Sequence, residues 1–291
     1  MSFRDVLLAV LPPLLWAVTY TTAKSGLAHF PPLLFMGIVY AIAALMLWRP
    51  GEQVKTSRLS LICIAAFGGA IQSGFVFAAL AGMPASLASL AVQLQVPFAV
   101  LAAAMICGER LSPLRCLGIL IAFAGVALAS GAVGSGSVRM HPLLLMVAGT
   151  MSWGVAQALI RRFGRDQGRI VIASIARYAA PMLLAMSAIL EHGQLAAISS
   201  AGAMHWLSAV VLASGGFALA YSIWYALLGR HRVDRVAPFA LLMPPFGLLS
   251  GWLFLSEAIG AAEIVGACVI VAGLWIIVRS PRIAQIPTAS S

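Results

Sequence analysis

The chain has 291 residues, of which 62% are hydrophobic and only 9% charged; its mean hydropathy is +1.01 and its formal charge +10. A soluble domain carries about a quarter of its residues as charges, so a water-soluble enzyme or nucleic-acid binder is excluded and the bilayer becomes the relevant solvent. The apolar runs are continuous, most of them about 18–22 residues long, which suits membrane helices and not the short alternating strands of a barrel.

Ten spans are predicted. The first, 5–23, follows Arg4 and carries Trp16 and Tyr20 four apart on one mid-span face. It has no convincing small-residue cleavage site and is expected to be a retained helix. Spans at 31–48 and 59–80 follow, the latter with Gln72, Ser73 and Phe75. The fourth, 84–107, places Gln93 and Gln95 before Pro97 and leads into Glu109. Gln93 shares a helical face with Pro97 and Gln95 points elsewhere, which favours Gln93 for substrate contact. After 113–131, the sixth span, 141–161, repeats the first pattern with Trp153 and Gln157 four apart. The seventh, 170–190, holds Arg177 about two turns from its end, close enough to snorkel. The eighth, 205–228, offers Tyr221 and Trp224; the ninth, 235–255, is interrupted by Pro244 and Pro245 and leads to Glu257. The tenth is 260–278. Trp48, Trp252 and Trp275 lie near span ends and read as interface anchors.

The basic residues orient these spans. With the N-terminus inside, fifteen Lys and Arg fall in inner segments, and only Lys24 and Arg139 fall outside. That asymmetry predicts both termini in the cytoplasm.

The chain also matches itself. At an offset of 148, "PFGLLSGWLFLSEAIGAAEIVGACVIVAGLWI" lies on "PFAVLAAAMICGERLSPLRCLGILIAFAGVAL" with seven identities in 32, including Pro245 on Pro97, Glu257 on Glu109 and Gly273 on Gly125. Upstream, "MSWGVAQALIR" lies on "LLWAVTYTTAK", pairing Trp153 with Trp16. The expected domains are therefore a five-helix repeat at 1–135, a second at 136–280, and a short cytoplasmic tail at 281–291. Five spans per copy means that the second copy enters the membrane from the opposite side, an inverted repeat with a site near the midplane.

The segment "GMPASLASLAVQLQVPFAVLAAAMICGERLSPLRCLGILIAFAGVAL" resembles the drug/metabolite transporter superfamily, in particular its EamA-type ten-helix members. A small-residue start, a mid-helix proline and a terminal Gly-Glu carry the likeness, and "IWYALLGRHRVDRVAPFALLMPPFGLLSGWLFLSEAIG" is the matching second-half signature. The resemblance covers nearly the whole chain. It implies efflux of amino acids or related small metabolites across a bacterial inner membrane by alternating access, with a central cavity between the repeats.

Polar and aromatic groups in mid-span need partners or a cavity to face. The expected cavity residues are Trp16, Tyr20, Gln72, Gln93, Gln95, Trp153, Gln157, Tyr221 and Trp224. Pro97, Pro244 and Pro245 are the expected kinks. Glu109 and Glu257 are expected to cap the helices that follow them. No acid sits mid-span, which argues against proton-coupled cationic drug antiport and favours uniport. The four cysteines form no CxxC pair, and no metal, cofactor or catalytic set is expected. The expected partners are a small-molecule substrate and the lipid bilayer. Alternatives are efflux of a drug, sugar, nucleoside or quaternary amine, or a channel or non-transporting scaffold; an intramembrane enzyme is disfavoured.

Overall fold

The computed structural model describes residues 1–131, 140–166 and 168–280, with the side chains of 233 and 234 left aside. Arg139, Arg282 and the expected tail at 281–291 lie outside these residues.

Each predicted apolar run is a helix: α1 (Phe3–Leu27), α2 (Pro32–Leu47), α3 (Arg58–Ala81), α4 (Ala85–Cys107), α5 (Pro113–Ala129), α6 (Met140–Phe163), α7 (Gly168–Leu190), α8 (Ala203–Arg230), α9 (Ala237–Leu255) and α10 (Ala261–Arg279). Eight are long and apolar enough to cross a membrane; α2 and α5, of 16 and 17 residues, are shorter. A seven-residue helix, Gln194–Ser200, occupies the connection from α7 to α8. The described residues contain no strand.

Local chemistry starts these helices. Ser57 and Ser112 accept the backbone amides of Ser60 and Arg115 at 3.2 and 3.3 Å, capping α3 and α5. Glu263 accepts the Gly260 amide at 3.0 Å and caps α10. Acids from distant elements also bind backbone amides at or just ahead of helix starts. Glu191, just past α7, takes the Leu33 and Leu34 amides at the start of α2, at 2.8 and 3.0 Å. Asp166, before α7, takes the Lys55 and Thr56 amides ahead of α3, both at 2.8 Å.

Four of the helices are irregular in a repeated way. The α3 helix widens to a π-turn over Ala66–Ile71 and α8 does so over Leu212–Leu219. The α4 helix tightens to 3-10 geometry over Val92–Leu94, and a 3-10 stretch, Ala237–Leu242, opens α9. Left-handed residues end both helices, Gly108 with φ 70° and Ser256 with φ 52°. These pairs sit at the 148-residue offset seen in the sequence. The α5 and α10 helices cross on their glycines. A Cβ on Gly118 would lie 2.8 Å from the Gly273 carbonyl, and one on Gly125 would lie 3.0 Å from that of Gly266. Residue numbers run in opposite directions across this contact, so the equivalent helices are antiparallel neighbours.

Most arginines gather on one face of the bundle, at the start of α1, the ends of α4, α6 and α8 and the end of α10. That face is called the basic face below.

Candidate transport cavity

A cavity enters the bundle from the basic face. Its vestibule, about 840 Å³, lies between α4, α6 and the basic-face ends of α9 and α10. Glu109, Arg115, Arg161, Arg232 and Ser280 line its mouth. Gln95, Trp153 and Gln157 line both this vestibule and an inner chamber of about 300 Å³. That size suits a small metabolite. The chamber wall includes Trp16, Tyr20, Tyr40, Gln72, Phe77, Phe217, Tyr221, Trp224, Tyr225 and Met243. Both halves of the chain contribute. Among the described residues, the chamber lining contains no Asp, Glu, Lys, Arg or His.

The aromatic groups are held by one another. The Trp16 ring lies 5.2 Å from Tyr221 and 5.4 Å from Trp224, the second contact edge-on. Tyr20 stacks on Phe77 at 6.2 Å, and Tyr40 meets Phe217 edge-on at 4.7 Å. The Tyr40 hydroxyl is 2.8 Å from Ser73 Oγ, which donates to Gln72 Oε1 at 2.8 Å. The indole N–H of Trp16 is buried and has no protein acceptor. A buried donor without a partner costs about 1–3 kcal/mol, and a bound acceptor in the chamber would recover it.

Of the nine residues expected at the cavity, eight line it; Gln93 does not. It is 3% exposed and sits within the 3-10 turn. A 3-10 residue advances 120° around the axis against 100° in an α-helix, so Gln93 is turned further from Pro97 than an unbroken α-helical period would place it. The turn directs Gln95 inward instead. Tyr40, Ser73, Phe77, Phe217, Tyr225 and Met243 were missed. Tyr40 meets the same mid-span polar criterion that picked out Tyr20 and could have been found by it.

The prolines occupy the starts of α-helical segments. Pro97 is the third residue after the 3-10 turn of α4, and Pro244 and Pro245 follow the 3-10 opening of α9. A missing N–H is least costly there.

The end of the cavity away from the basic face is closed. Thr21 Oγ1 donates to Ser250 Oγ at 3.0 Å, joining α1 to α9. Gly247 packs directly over Ser89 of α4. Glu257 accepts the amides of Ala85 and Ser86 at 2.7 and 2.9 Å. This corrects the expectation for Glu257: it caps α4, in the other half of the chain, and the following helix uses its own Glu263. Glu109 likewise does not cap the helix after it, which uses Ser112; its carboxylate pairs with Arg161 at the vestibule. The local signal for an N-cap identified the acids, but nothing local could name a partner about 170 residues away. Arg177 is exposed on α7, away from the cavity lining.

Residues 4–131 and 140–279 each match the EamA-like transporter family. The chain belongs to that family. This transporter is 32% identical to a Salmonella typhimurium protein named "Probable amino-acid metabolite efflux pump", over 97% of both chains. It is 31% identical to an Escherichia coli protein of the same name, over 95% of both. A Bacillus subtilis protein named as an uncharacterized transporter is 23% identical over 94% of this chain and 91% of its own. The fold is similar to that of a protein of known crystal structure, with a TM-score of 0.65, 24% identity and coverage of 94% of this chain and 98% of that one. The transporter is thus an all-helical, multi-pass membrane protein of the drug/metabolite transporter superfamily.

Proposed function

We propose that this transporter exports amino acids or related small metabolites from the cytoplasm of a bacterial cell. On this proposal ten helices cross the inner membrane as two inverted repeats, 1–135 and 136–280, with both termini and the tail at 281–291 in the cytoplasm. The basic face is then cytoplasmic, and the conformation described is inward-open. Alternating access moves the substrate, and no co-transported ion is required.

The observation that carries the proposal is a cavity built from both halves of the chain, open on one face and closed on the other. A carrier needs such one-sided access; an open channel needs both ends open. The chamber has the chemistry of a zwitterion site without fixed charge. The free Trp16 N–H and the amides of Gln72, Gln95 and Gln157 can bind a carboxylate. The faces of Trp16, Tyr221 and Trp224 can take an ammonium group. The names of the Salmonella typhimurium and Escherichia coli relatives support the same substrate class.

The aromatic cluster also favours a second substrate, a quaternary amine, which would use the cation–π surface and leave the amides to water. Counterflow in proteoliposomes against a panel of amino acids, sugars and quaternary amines decides between them. Saturable amino acid counterflow is expected. Flux of amines without amino acids would replace the first reading with the second, and non-saturable flux would indicate a channel.

A further inference from the structure

We propose that Glu109 and Glu257 are alternate latches of the transport cycle, each closing one mouth of the cavity by capping the first amides of the opposing helix. The proposal rests on the alternating-access reading above.

Glu257 shows the latched geometry. It leaves α9 through Ser256, the one non-glycine residue with positive φ among the described residues. That left-handed turn aims the carboxylate across the interface at the first two amides of α4. Gly251 leaves the room: a Cβ there would lie 2.5 Å from Glu257 Oε2 and 3.0 Å from Ser86 Cβ. The contact therefore forms only where α4 and α9 are pressed together, on the closed side.

Glu109 has the same local build and is not latched. It leaves α4 through Gly108, also left-handed, at the repeat-equivalent place. Its carboxylate faces the open vestibule and pairs with Arg161. The repeat-equivalents of Ala85 and Ser86 are Val233 and Asp234, at the start of the helical turn Val233–Val236 that leads into α9, with Arg232 and Arg235 on either side. The inverted symmetry that sets Glu257 on α4 at one face would set Glu109 on this turn at the other once that mouth closes. The two contacts cannot coexist if α4 and α9 rock about their crossing, because closing one mouth opens the other.

The other two long-range contacts from a carboxylate to backbone amides serve as internal contrast. The upstream match, at an offset of 137, sets Val54 opposite Glu191 and His29 opposite Asp166. Asp166 has no acidic twin, and Glu52, two residues from Val54, already pairs with Arg169 at the start of α7 while Glu191 caps α2, so both sides of that pair are engaged at once, as in a fixed tie. The Glu109–Glu257 pair is the exception. Glutamate rather than glutamine suits a latch, since a carboxylate accepting two amides binds more strongly than a neutral amide and is released into water or onto an arginine.

The test measures distances across each mouth by spin labels on the full-length transporter in nanodiscs, without substrate, so that it does not depend on the substrate being known. E257Q should shift the ratio of inward-open to outward-open protein toward outward-open by about tenfold. E109Q should shift it the opposite way. R161Q, which frees Glu109, should act in the direction of E257Q, and E109Q/E257Q should return toward the parent ratio. Equal shifts by E257Q and E109Q, or no shift by E109Q and R161Q in folded protein, would overturn the exchange. If E257Q does not fold, E109Q and R161Q still give opposite signs or refute it. A transporter that never opens outward in any variant would sink alternating access itself, whereas two populated states insensitive to these residues would sink only the latch.

Discussion

Gly273 on α10 lies against the backbone of Gly118 on α5, close enough that a Cβ on it would stand 2.6 Å from the Ala122 nitrogen and 2.7 Å from the Gly118 carbonyl oxygen. Both obstacles are main chain, so no side-chain rotation relieves them. G273A should separate the two helices and lower stability by about 1–3 kcal/mol, read as a fall in the detergent melting temperature. G229A is the control. Gly229 has nothing within 4 Å of an added Cβ and lies in α8, where alanine gains about 0.5–1 kcal/mol of helix propensity.

The two glutamines of α4 should separate binding from folding. Gln95 lines vestibule and chamber, and Gln93 is buried in the 3-10 turn. Q95A is expected to cut counterflow several-fold with little change in melting temperature. Q93A should lower the melting temperature and spare the per-molecule rate of the folded fraction. The reverse pattern would show that the turn is rotated from the geometry described.

Trp16 should contribute through its nitrogen as well as its ring. W16F keeps an aromatic surface beside Tyr221 and Trp224 but removes the unpaired donor. Loss of a hydrogen bond to a charged acceptor is worth about 1.5–3 kcal/mol. The concentration giving half-maximal amino acid transport should therefore rise about tenfold or more. A W16F carrier with unchanged half-saturation would leave Gln72, Gln95 and Gln157 as the carboxylate ligands.

Asp166 ties its loop to the start of α3, and its acidity should be visible in stability. Partial burial pushes its carboxyl up, but hydrogen bonds from Thr56 and from the Lys55 and Thr56 amides outweigh that and hold it below the ordinary value of 3.8. A lowered folded pKa means that the contribution is present above the unfolded value and disappears as pH falls through the folded one. The parent should lose this contribution below about pH 4. D166N should be less stable than the parent near neutral pH, by about 1 kcal/mol as for a lost hydrogen bond, with the gap closing in acid. Melting curves of both proteins between neutral pH and about pH 3 check this.

Much of this was legible in the sequence because the bilayer permits few solutions. Apolar runs had to be helices, and a mid-span Trp or Gln had to face another helix or a cavity. Trp16, Tyr20, Trp153 and Gln157 followed from that alone. Gln93 departs from expectation because the 3-10 turn at Val92–Leu94 interrupts the 3.6-residue period of α4. The acids misled for a different reason. An N-cap is usually local, but the loops after α4 and α9 are tight, and their left-handed residues turn Glu109 and Glu257 outward from their own neighbourhood.

The π-turns of α3 and α8 bear on how the chain arose. A π-turn closes its hydrogen bonds one residue later than the α-helix around it, as one extra residue in a helix would require. The two turns, Ala66–Ile71 and Leu212–Leu219, end at equivalent places, in the two segments that match the same family. A single irregularity, copied when a half-length unit was doubled, would put both where they are; separate ones would have to coincide. One such unit alone would not have enclosed the chamber that both halves now line.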